Sequence, residues 1–167
     1  MEPRRYSGAI LVASVLIVTQ YILAFFVYKL PGWGPLQWVG WGIWILSLIF
    51  GIAPIFILRK YGGVAKSESY VHTNQLVDTS LYAIVRHPQY LAGMLFNLAL
   101  MFLAQHWLVI LVGSISMILI YLEIRDADQE GLNKFGDEYR AYMQRVPRAN
   151  IVLGLIRFTR NEMTRSQ

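Results

Sequence analysis

The sequence has no cysteine and few charged residues. The lack of cysteine excludes disulfide bonds, thiolate metal sites and cysteine nucleophiles. Only 15% of the 167 residues are Asp, Glu, Lys or Arg, whereas soluble domains carry about a quarter. Hydrophobic residues make up 56% of the chain. The composition therefore favours an integral membrane protein over a soluble one.

Charge is also absent from three long stretches, residues 7–28, 30–58 and 87–122, which contain no Asp, Glu, Lys or Arg. The first is long enough for a helix to cross a hydrocarbon core of about 30 Å. A cleavable signal peptide is the alternative for this stretch. It is disfavoured because the run is too long for the apolar core of such a peptide and no small-residue cleavage site precedes Lys29.

The second and third stretches contain turn signals that divide them. Proline and glycine before Leu36 mark a turn, so the second span is predicted to begin there (Pro31, Gly32, Gly34, Pro35). The third stretch is too long for one crossing, and Gln105 and His106 near its middle predict a helical hairpin. The predicted transmembrane helices are therefore 8–28, 36–58, 88–104 and 107–123.

Four crossings would place both termini on the same side of the membrane. Of the 15 Lys and Arg residues, only Lys29 falls on the other side. The positive-inside rule then predicts cytosolic termini, a cytosolic loop at 59–87 and a cytosolic tail at 124–167. The net charge of +5 is explained by contact with lipid headgroups rather than with nucleic acid. The predicted fold is an all-α multi-pass membrane protein, a single domain with an amphipathic C-terminal helix.

The predicted loop is long, polar and rich in groups that could hold a ligand (Ser67, His72, Asn74, Gln75, Asp78, Tyr82). It leads into residues 86–90 (RHPQY), where Pro88 suits the first turn of a helix. The free N–H groups of that turn would suit a carboxylate. The simpler interpretation is that Arg86 and His87 anchor the helix at the headgroups.

The tail carries apolar residues at helical spacing over 132–146, which predicts an amphipathic helix. Four carboxylates lie at its start (Glu123, Asp126, Asp128, Glu130). Their spacing spreads them around the helix, so a solvated helix start is the simpler interpretation. A metal site is disfavoured, since the three histidines lack ligand-like spacing (His72, His87, His106).

Taken together, these segments resemble the superfamily of isoprenylcysteine carboxyl methyltransferases and phospholipid methyltransferases. The matching pieces are residues 76–82 (LVDTSLY), 86–90 (RHPQY), 135–142 (FGDEYRAY) and 145–148 (RVPR). They occur in the family's order, with a charge-free hairpin between the second and the third. The resemblance implies an integral membrane enzyme that transfers a methyl group from S-adenosylmethionine to a lipid or lipidated acceptor at the cytosolic face.

The resemblance also implies which residues would bind the cofactor. Carried over by position, they are Asn74, Gln75, Leu76, Val77, Tyr82, His87, Pro88, Gln89 and Tyr90. A Glu-Glu pair is usual ahead of the Phe-Gly, and counting back places it at Ala127-Asp128. Asp128 is therefore expected to hold the cofactor's amino group, with Asp126 and Glu130 as alternatives.

Two further departures from the family pattern bear on the site. Ser80 stands where the loop motif usually has glycine. Glu123 stands where the prenylcysteine enzymes carry an arginine that faces the substrate carboxylate, and Arg125 lies two residues away. An amine acceptor must lose a proton and is helped by a carboxylate, whereas a carboxylate acceptor needs a cation. Glu123 and Arg125 are thus the expected catalytic residues, and Glu123 favours an amine such as phosphatidylethanolamine.

Two functions of other classes remain as alternatives. Membrane sterol reductases, which bind a nicotinamide cofactor such as NADPH, share a related architecture and would accommodate residues 86–88 and 135–139. The chain lacks the extra spans expected of them. A small transporter would usually carry an ionisable residue inside a span, and here the spans hold only neutral polar groups such as Gln20 and Asn97.

Overall fold

The computed structural model describes residues 8–28, 33–65 and 67–165, which form helices and connecting turns without a strand among them. The described part of the chain is thus all-α, as the sequence predicts. Five helices carry the fold: α1 (Gly8–Ile22), which continues as a π-helical turn (Leu23–Val27), α2 (Gly34–Tyr61), α3 (Pro88–Ala104), α4 (Trp107–Arg145) and α5 (Ile151–Arg165). A short 3₁₀ helix (Ser80–Ala83) lies in the connection between α2 and α3.

Three helical segments are long and apolar enough to cross a membrane: Gly8–Val27, α2 and α4. Helix α3 is also apolar but has only 17 residues. Large apolar side chains on the three longer segments are exposed, among them Phe26, Phe56 and Ile118. Exposed apolar surface of this extent is what a surrounding bilayer explains. These features indicate a membrane protein.

Two helices extend beyond the predicted membrane spans. Helix α2 begins at Gly34 rather than at residue 36, because Pro35 falls in the first turn, where a missing N–H leaves no bond unmade. The span predicted at 107–123 continues in helical geometry to Phe135, and the backbone leaves that geometry at Gly136 (φ 56°), so α4 consists of two helical segments separated by a kink. Lys29, Pro31 and Gly32 lie outside the described residues.

The chain divides into two compact units. The first comprises Met1–Ile49 and Ala92–Asp126. Its core is a small apolar cluster (Ala24, Leu100, Leu103, Ala104, Val109). The amide of Gln20 is fully buried beside this cluster and donates to the carbonyl oxygens of Asn97 and Val109, both at 3.1 Å. Polar side chains that bond across helices in this way hold apolar helices together.

The turn between α3 and α4 lies in the first unit and consists of Gln105 and His106. Gln105 adopts a left-handed conformation (φ 48°). Its side-chain amide exchanges two hydrogen bonds of 3.0 Å with the backbone of Trp33. The ring of His106 stacks on Tyr28 at 3.6 Å between centroids. This turn occupies the position at which the sequence predicts the hairpin.

The second unit comprises Phe50–Leu91 and Ala127–Gln167. It holds the connection from α2 to α3, the last part of α4 and the whole of α5. The backbone N–H groups of Arg86 and His87 donate to the carbonyls of Pro147 and Arg148, at 3.0 and 3.1 Å. These bonds fix the entry into α3 beside the segment that joins α4 to α5.

Candidate functional site

A buried carboxylate forms the centre of a polar cluster in the second unit. Oδ1 of Asp128 lies 2.8 Å from Nη1 of Arg86 and 2.8 Å from Nε2 of His87, and it accepts from the hydroxyl of Tyr139 at 3.0 Å. Oδ2 accepts from Nε of Arg148 at 2.6 Å. We call these five residues the Asp128 cluster. They come from three separate segments of the chain.

The electrostatics of the cluster keep Asp128 ionised. Glu123 and the charged residues that follow it place this part of α4 beyond the apolar portion of the helix. Burial alone raises the pKa of the Asp128 carboxyl, but the hydrogen bond from His87 and the contacts with Arg148 and Arg86 outweigh it and lower the pKa to about 2. Asp128 is therefore a carboxylate at every physiological pH.

The cluster has more positive than negative charge. Arg86 and Arg148 remain protonated in proteins, and Asp128 supplies one negative charge against them. In addition, Nε of Arg86 is buried and has no hydrogen-bond partner among the described residues. A buried donor of this kind normally pairs with an acceptor. The cluster therefore suits an anionic group, such as a carboxylate or a phosphate.

Tyr139 reaches Asp128 because α4 changes direction at Gly136. The positive φ of Gly136 is a conformation that glycine adopts without a steric penalty. Beyond it the chain turns back, and the ring of Tyr139 lies against Gly131, where a side chain would collide with it. Burial, together with the negative charge of Asp128, raises the pKa of the Tyr139 hydroxyl, so this group remains a proton donor.

The same turn positions a second tyrosine. Tyr142 is almost completely buried, and its hydroxyl donates to the carbonyl oxygen of Tyr82 at 2.7 Å. Tyr139, Tyr142 and Val146 form an apolar cluster against which Leu76 packs. The connection from α2 to α3 is thereby joined to the end of α4, at two of the positions that the resemblance assigns to the cofactor.

The other residues predicted from the loop have different surroundings. Asn74 and Gln75 are exposed, and their backbone N–H groups donate to the carbonyl of Gly62. The side chain of Asn74 donates to the carbonyl of Gly63 at 3.3 Å. Val77 is buried. These contacts of Asn74 and Gln75 stabilise the loop itself and involve no member of the Asp128 cluster.

Helix α3 begins at Pro88, as the sequence predicts, and its first residues lie beside the cluster. Pro88 is fully buried, and the ring of Tyr90 packs edge-to-face on His87 at 5.8 Å between centroids. The amide of Gln89 donates to the hydroxyl of Tyr70 at 3.1 Å. His87, directly before α3, thus contacts Asp128, and Gln89 in the first turn of α3 contacts the loop.

One family model matches residues 6–146, and its description is "Protein of unknown function (DUF1295)". The match covers most of the chain. The chain belongs to the DUF1295 family. Searches of curated proteins and of solved structures found no match. Four members of the Asp128 cluster lie inside the part that matches DUF1295, while Arg148 and the whole of α5 follow it.

The three carboxylates that the sequence offers as alternatives differ in their burial. Asp128 is buried in the cluster, whereas Asp126 and Glu130 are exposed. Glu123 and Arg125 belong to the first unit, in which Glu123 is buried and Arg125 is exposed. Their assignment as catalytic residues stays a prediction.

The sequence pattern places Tyr139 and Tyr142 in the apolar stripe of the tail helix and assigns no role in the site to these two or to Arg148, although all three lie within the segments that carry the resemblance. It treated Arg86 as a headgroup anchor, yet Arg86 is buried and bonded to Asp128. The available signal was the repetition of arginine and aromatic residues in 139–148. That signal does not reveal a partner, because the partners are distant in sequence.

Proposed function

We propose that this DUF1295 protein is an integral membrane methyltransferase that uses S-adenosylmethionine, with the Asp128 cluster as part of its cofactor site. One observation carries the proposal. Three of the segments that resemble the membrane methyltransferases supply, together with the buried Asp128, a single charged cluster (86–90, 135–142 and 145–148). Buried charges with strongly shifted pKa values are concentrated at functional sites, because burying them is costly to stability.

The residues present fit one end of the cofactor well. S-adenosylmethionine carries a carboxylate and an ammonium group on its amino-acid end. The surplus positive charge and the unpartnered Nε of Arg86 suit the carboxylate. The ammonium group was expected at Asp128, whose two oxygens already receive four donors. We therefore assign Asp128 chiefly to positioning Arg86, His87 and Arg148. An ammonium group bound at Asp128 would share its carboxylate with these residues.

The cofactor, when bound, supplies a methyl group that its sulfonium already activates, so the protein has mainly to align the reactants and exclude water. Arg86 holds and orients an anionic group through its free N–H. Asp128 keeps Arg86 and His87 in place, and the buried side chains of Pro88 and Tyr142 exclude water from their surroundings. For an amine acceptor, the buried carboxylate of Glu123 is our candidate for accepting the proton that the amine must lose.

The proposal includes a membrane topology. We propose four crossings, with both termini and the connection between α2 and α3 in the cytosol. The 17 residues of α3 are about 25 Å long as a helix, slightly less than the hydrocarbon thickness. A short crossing of this kind is accommodated by local thinning of the bilayer. The acceptor would then be a lipid or lipidated molecule that reaches the cytosolic face.

A membrane reductase is the second candidate. The two arginines of the cluster outnumber its one carboxylate, and this positive charge would also suit the phosphates of NADPH. The two candidates differ in which cofactor binds, so direct binding separates them. Purified protein in lipid nanodiscs is titrated with S-adenosylmethionine and, separately, with NADPH. Saturable binding of S-adenosylmethionine alone supports the methyltransferase, and binding of NADPH alone overturns it.

A matched pair of variants links binding to the cluster. Arg86→Met removes the buried guanidinium, and Arg145→Met removes an exposed one that pairs with Asp78 at 3.3 Å. We expect loss of S-adenosylmethionine binding in the first variant and wild-type binding in the second. Equal binding by both variants would show that the cluster is not the site. Incubation with labelled cofactor and a lipid extract then identifies the acceptor from the labelled product.

A further inference from the structure

Helix α5 is fixed to the second unit through one side. A side chain at Gly154 would collide with the carbonyl oxygen of Ile84, so the helix backbone lies directly against the chain at that point. Ile84 is four residues before Pro88, where the apolar helix α3 begins. Asn150 caps α5, since its side-chain oxygen accepts from the N–H of Leu153 at 3.0 Å. The helix is therefore held close to the start of α3.

The side of α5 opposite Gly154 is apolar and exposed. Val152, Ile156, Thr159 and Met163 follow one another at intervals of four, three and four residues, which places them in one stripe along the helix. Val152, Ile156 and Met163 are 69%, 59% and 62% exposed. If α5 contacted only water, the exposure of this apolar stripe would be unfavourable.

The one polar residue of the stripe is adapted to apolar surroundings. The hydroxyl of Thr159 donates within its own helix, to the carbonyl oxygens of Leu155 and Ile156, both at 3.0 Å. Its hydrogen is therefore already bonded and needs no water. Thr159 can enter an apolar layer at little cost, because a buried hydroxyl is unfavourable chiefly when it lacks a partner.

A basic residue lies beside the stripe. Arg160 is exposed and directly follows Thr159, and helical spacing places it at the edge of the stripe next to Ile156. Arg157 lies on a different side of the helix and extends toward α4, with Nη1 at 3.4 Å from the carbonyl oxygen of Gln144. An apolar stripe with an arginine at its edge is typical of helices that lie in the interfacial layer of a membrane, where the arginine contacts anionic headgroups. A surface for a second copy would not call for this charge.

We propose that α5 is an interfacial membrane helix whose stripe (Val152, Ile156, Thr159, Met163) lies in the headgroup layer of a bilayer that contains anionic lipid. Two observations select lipid as the occupant: Arg160 at the edge of the stripe, and the attachment of α5 at Ile84, close to the start of an apolar helix. Helix α5 follows the part of the chain that matches DUF1295, so this anchor is an addition to the matched region.

The lack of cysteine in the chain makes the test direct, because any introduced cysteine is the sole labelling site. Val152→Cys, Ile156→Cys and Asp137→Cys are each spin-labelled in the full chain, reconstituted in vesicles of mixed phosphatidylcholine and phosphatidylglycerol. Asp137 is the control, since its side chain is fully exposed in the second unit. Accessibility to oxygen, which concentrates in lipid, is compared with accessibility to a water-soluble nickel chelate.

We expect labels at 152 and 156 to favour oxygen and the label at 137 to favour the chelate. Equal access of the chelate at all three positions would place the stripe in water and overturn the proposal. Labels at 152 and 156 that are shielded from both reagents would place the stripe against protein, and broadening between labels would identify a second copy. Either result also overturns it.

A second measurement tests the role of the charges. Arg160→Gln is added to the labelled Ile156→Cys protein, and Arg140→Gln, which alters an exposed arginine outside α5, serves as the matched control. We expect the first change to shift the label at 156 toward the water, and the second to leave its depth unaltered. The same outward shift is expected in vesicles of pure phosphatidylcholine. An unchanged depth in both tests would overturn the contact with anionic headgroups.

Discussion

The ring of Tyr139 occupies the space that a side chain on Gly131 would need. This contact exists because α4 turns back at Gly136, and it brings the hydroxyl of Tyr139 to within 3.0 Å of Asp128. Glycine at position 131 is thus explained by close packing rather than by an unusual backbone conformation. It allows two parts of one helix to meet closely enough to share a hydrogen bond.

We expect Gly131→Ala to destabilise the protein, because the new methyl group would force Tyr139 away from Asp128. Overpacking of this kind costs about 1–3 kcal/mol, against a gain of about 1 kcal/mol in helix propensity. Gly42→Ala in α2 is the matched control, since open space surrounds that position, and only the gain should appear. Thermal unfolding in detergent measures both variants. A melting temperature that rises equally in the two would contradict the contact.

Features set by local signals were predictable from the sequence. Helix α3 begins at Pro88 because proline suits a first turn, and the turn at Gln105 interrupts a charge-free run. The reversal at Gly136 was not predictable, since a glycine within a helical pattern is usually tolerated without a change of direction. The positive φ of Gly136 occurs together with the packing of Tyr139 against Gly131, a contact between residues eight apart that no local pattern indicates.

Ser80 shows the same dependence on the folded backbone. The sequence indicated only a mild departure from a glycine in the related motif. In the fold, Ser80 has a φ of 57°, a conformation that residues with a Cβ rarely adopt. Holding one residue in this conformation costs about 1 kcal/mol.

We therefore expect Ser80→Gly to raise the free energy of unfolding by up to about 1 kcal/mol, less the extra freedom that glycine gains in the unfolded chain. Thr79→Gly is the matched control. Thr79 has a φ of −110°, which any residue adopts, so glycine there should only destabilise. Chemical denaturation of the two variants beside the wild type gives the comparison. Destabilisation of similar size in both would rule out strain at Ser80.

The composition of the site was predictable in part. Counting back from the Phe-Gly of 135–136 selected Asp128, and its burial distinguishes it from the exposed Asp126 and Glu130. The roles of Tyr139 and Arg148 could not be read from the sequence. They depend on contacts 11 and 20 residues away from Asp128, and the bond to Arg86 bridges 42 residues.

Asp128→Asn should be strongly destabilising. The substitution keeps the shape of the side chain but leaves Arg86 without the charge that compensates its burial. Removing one partner of a buried ion pair costs about 3–5 kcal/mol. Asp126→Asn on the exposed surface should change stability by less than about 0.5 kcal/mol. Denaturant titrations of the two variants are the measurement, and similar small effects would show that the cluster contributes little to the fold.

The stabilisation from Asp128 should depend on pH in a defined direction. Folding lowers the pKa of this carboxyl to about 2, whereas an unfolded aspartate titrates near 3.9. Its contribution is therefore fully present above pH of about 4, and it is lost progressively as the pH falls toward 2. The gap in stability between the wild type and Asp128→Asn should then be constant from neutral pH down to that point and narrow below it. Melting temperatures of both proteins across this range test the prediction. A gap that narrows already between pH 7 and 5 would mean that a different group, with a higher pKa, controls the cluster.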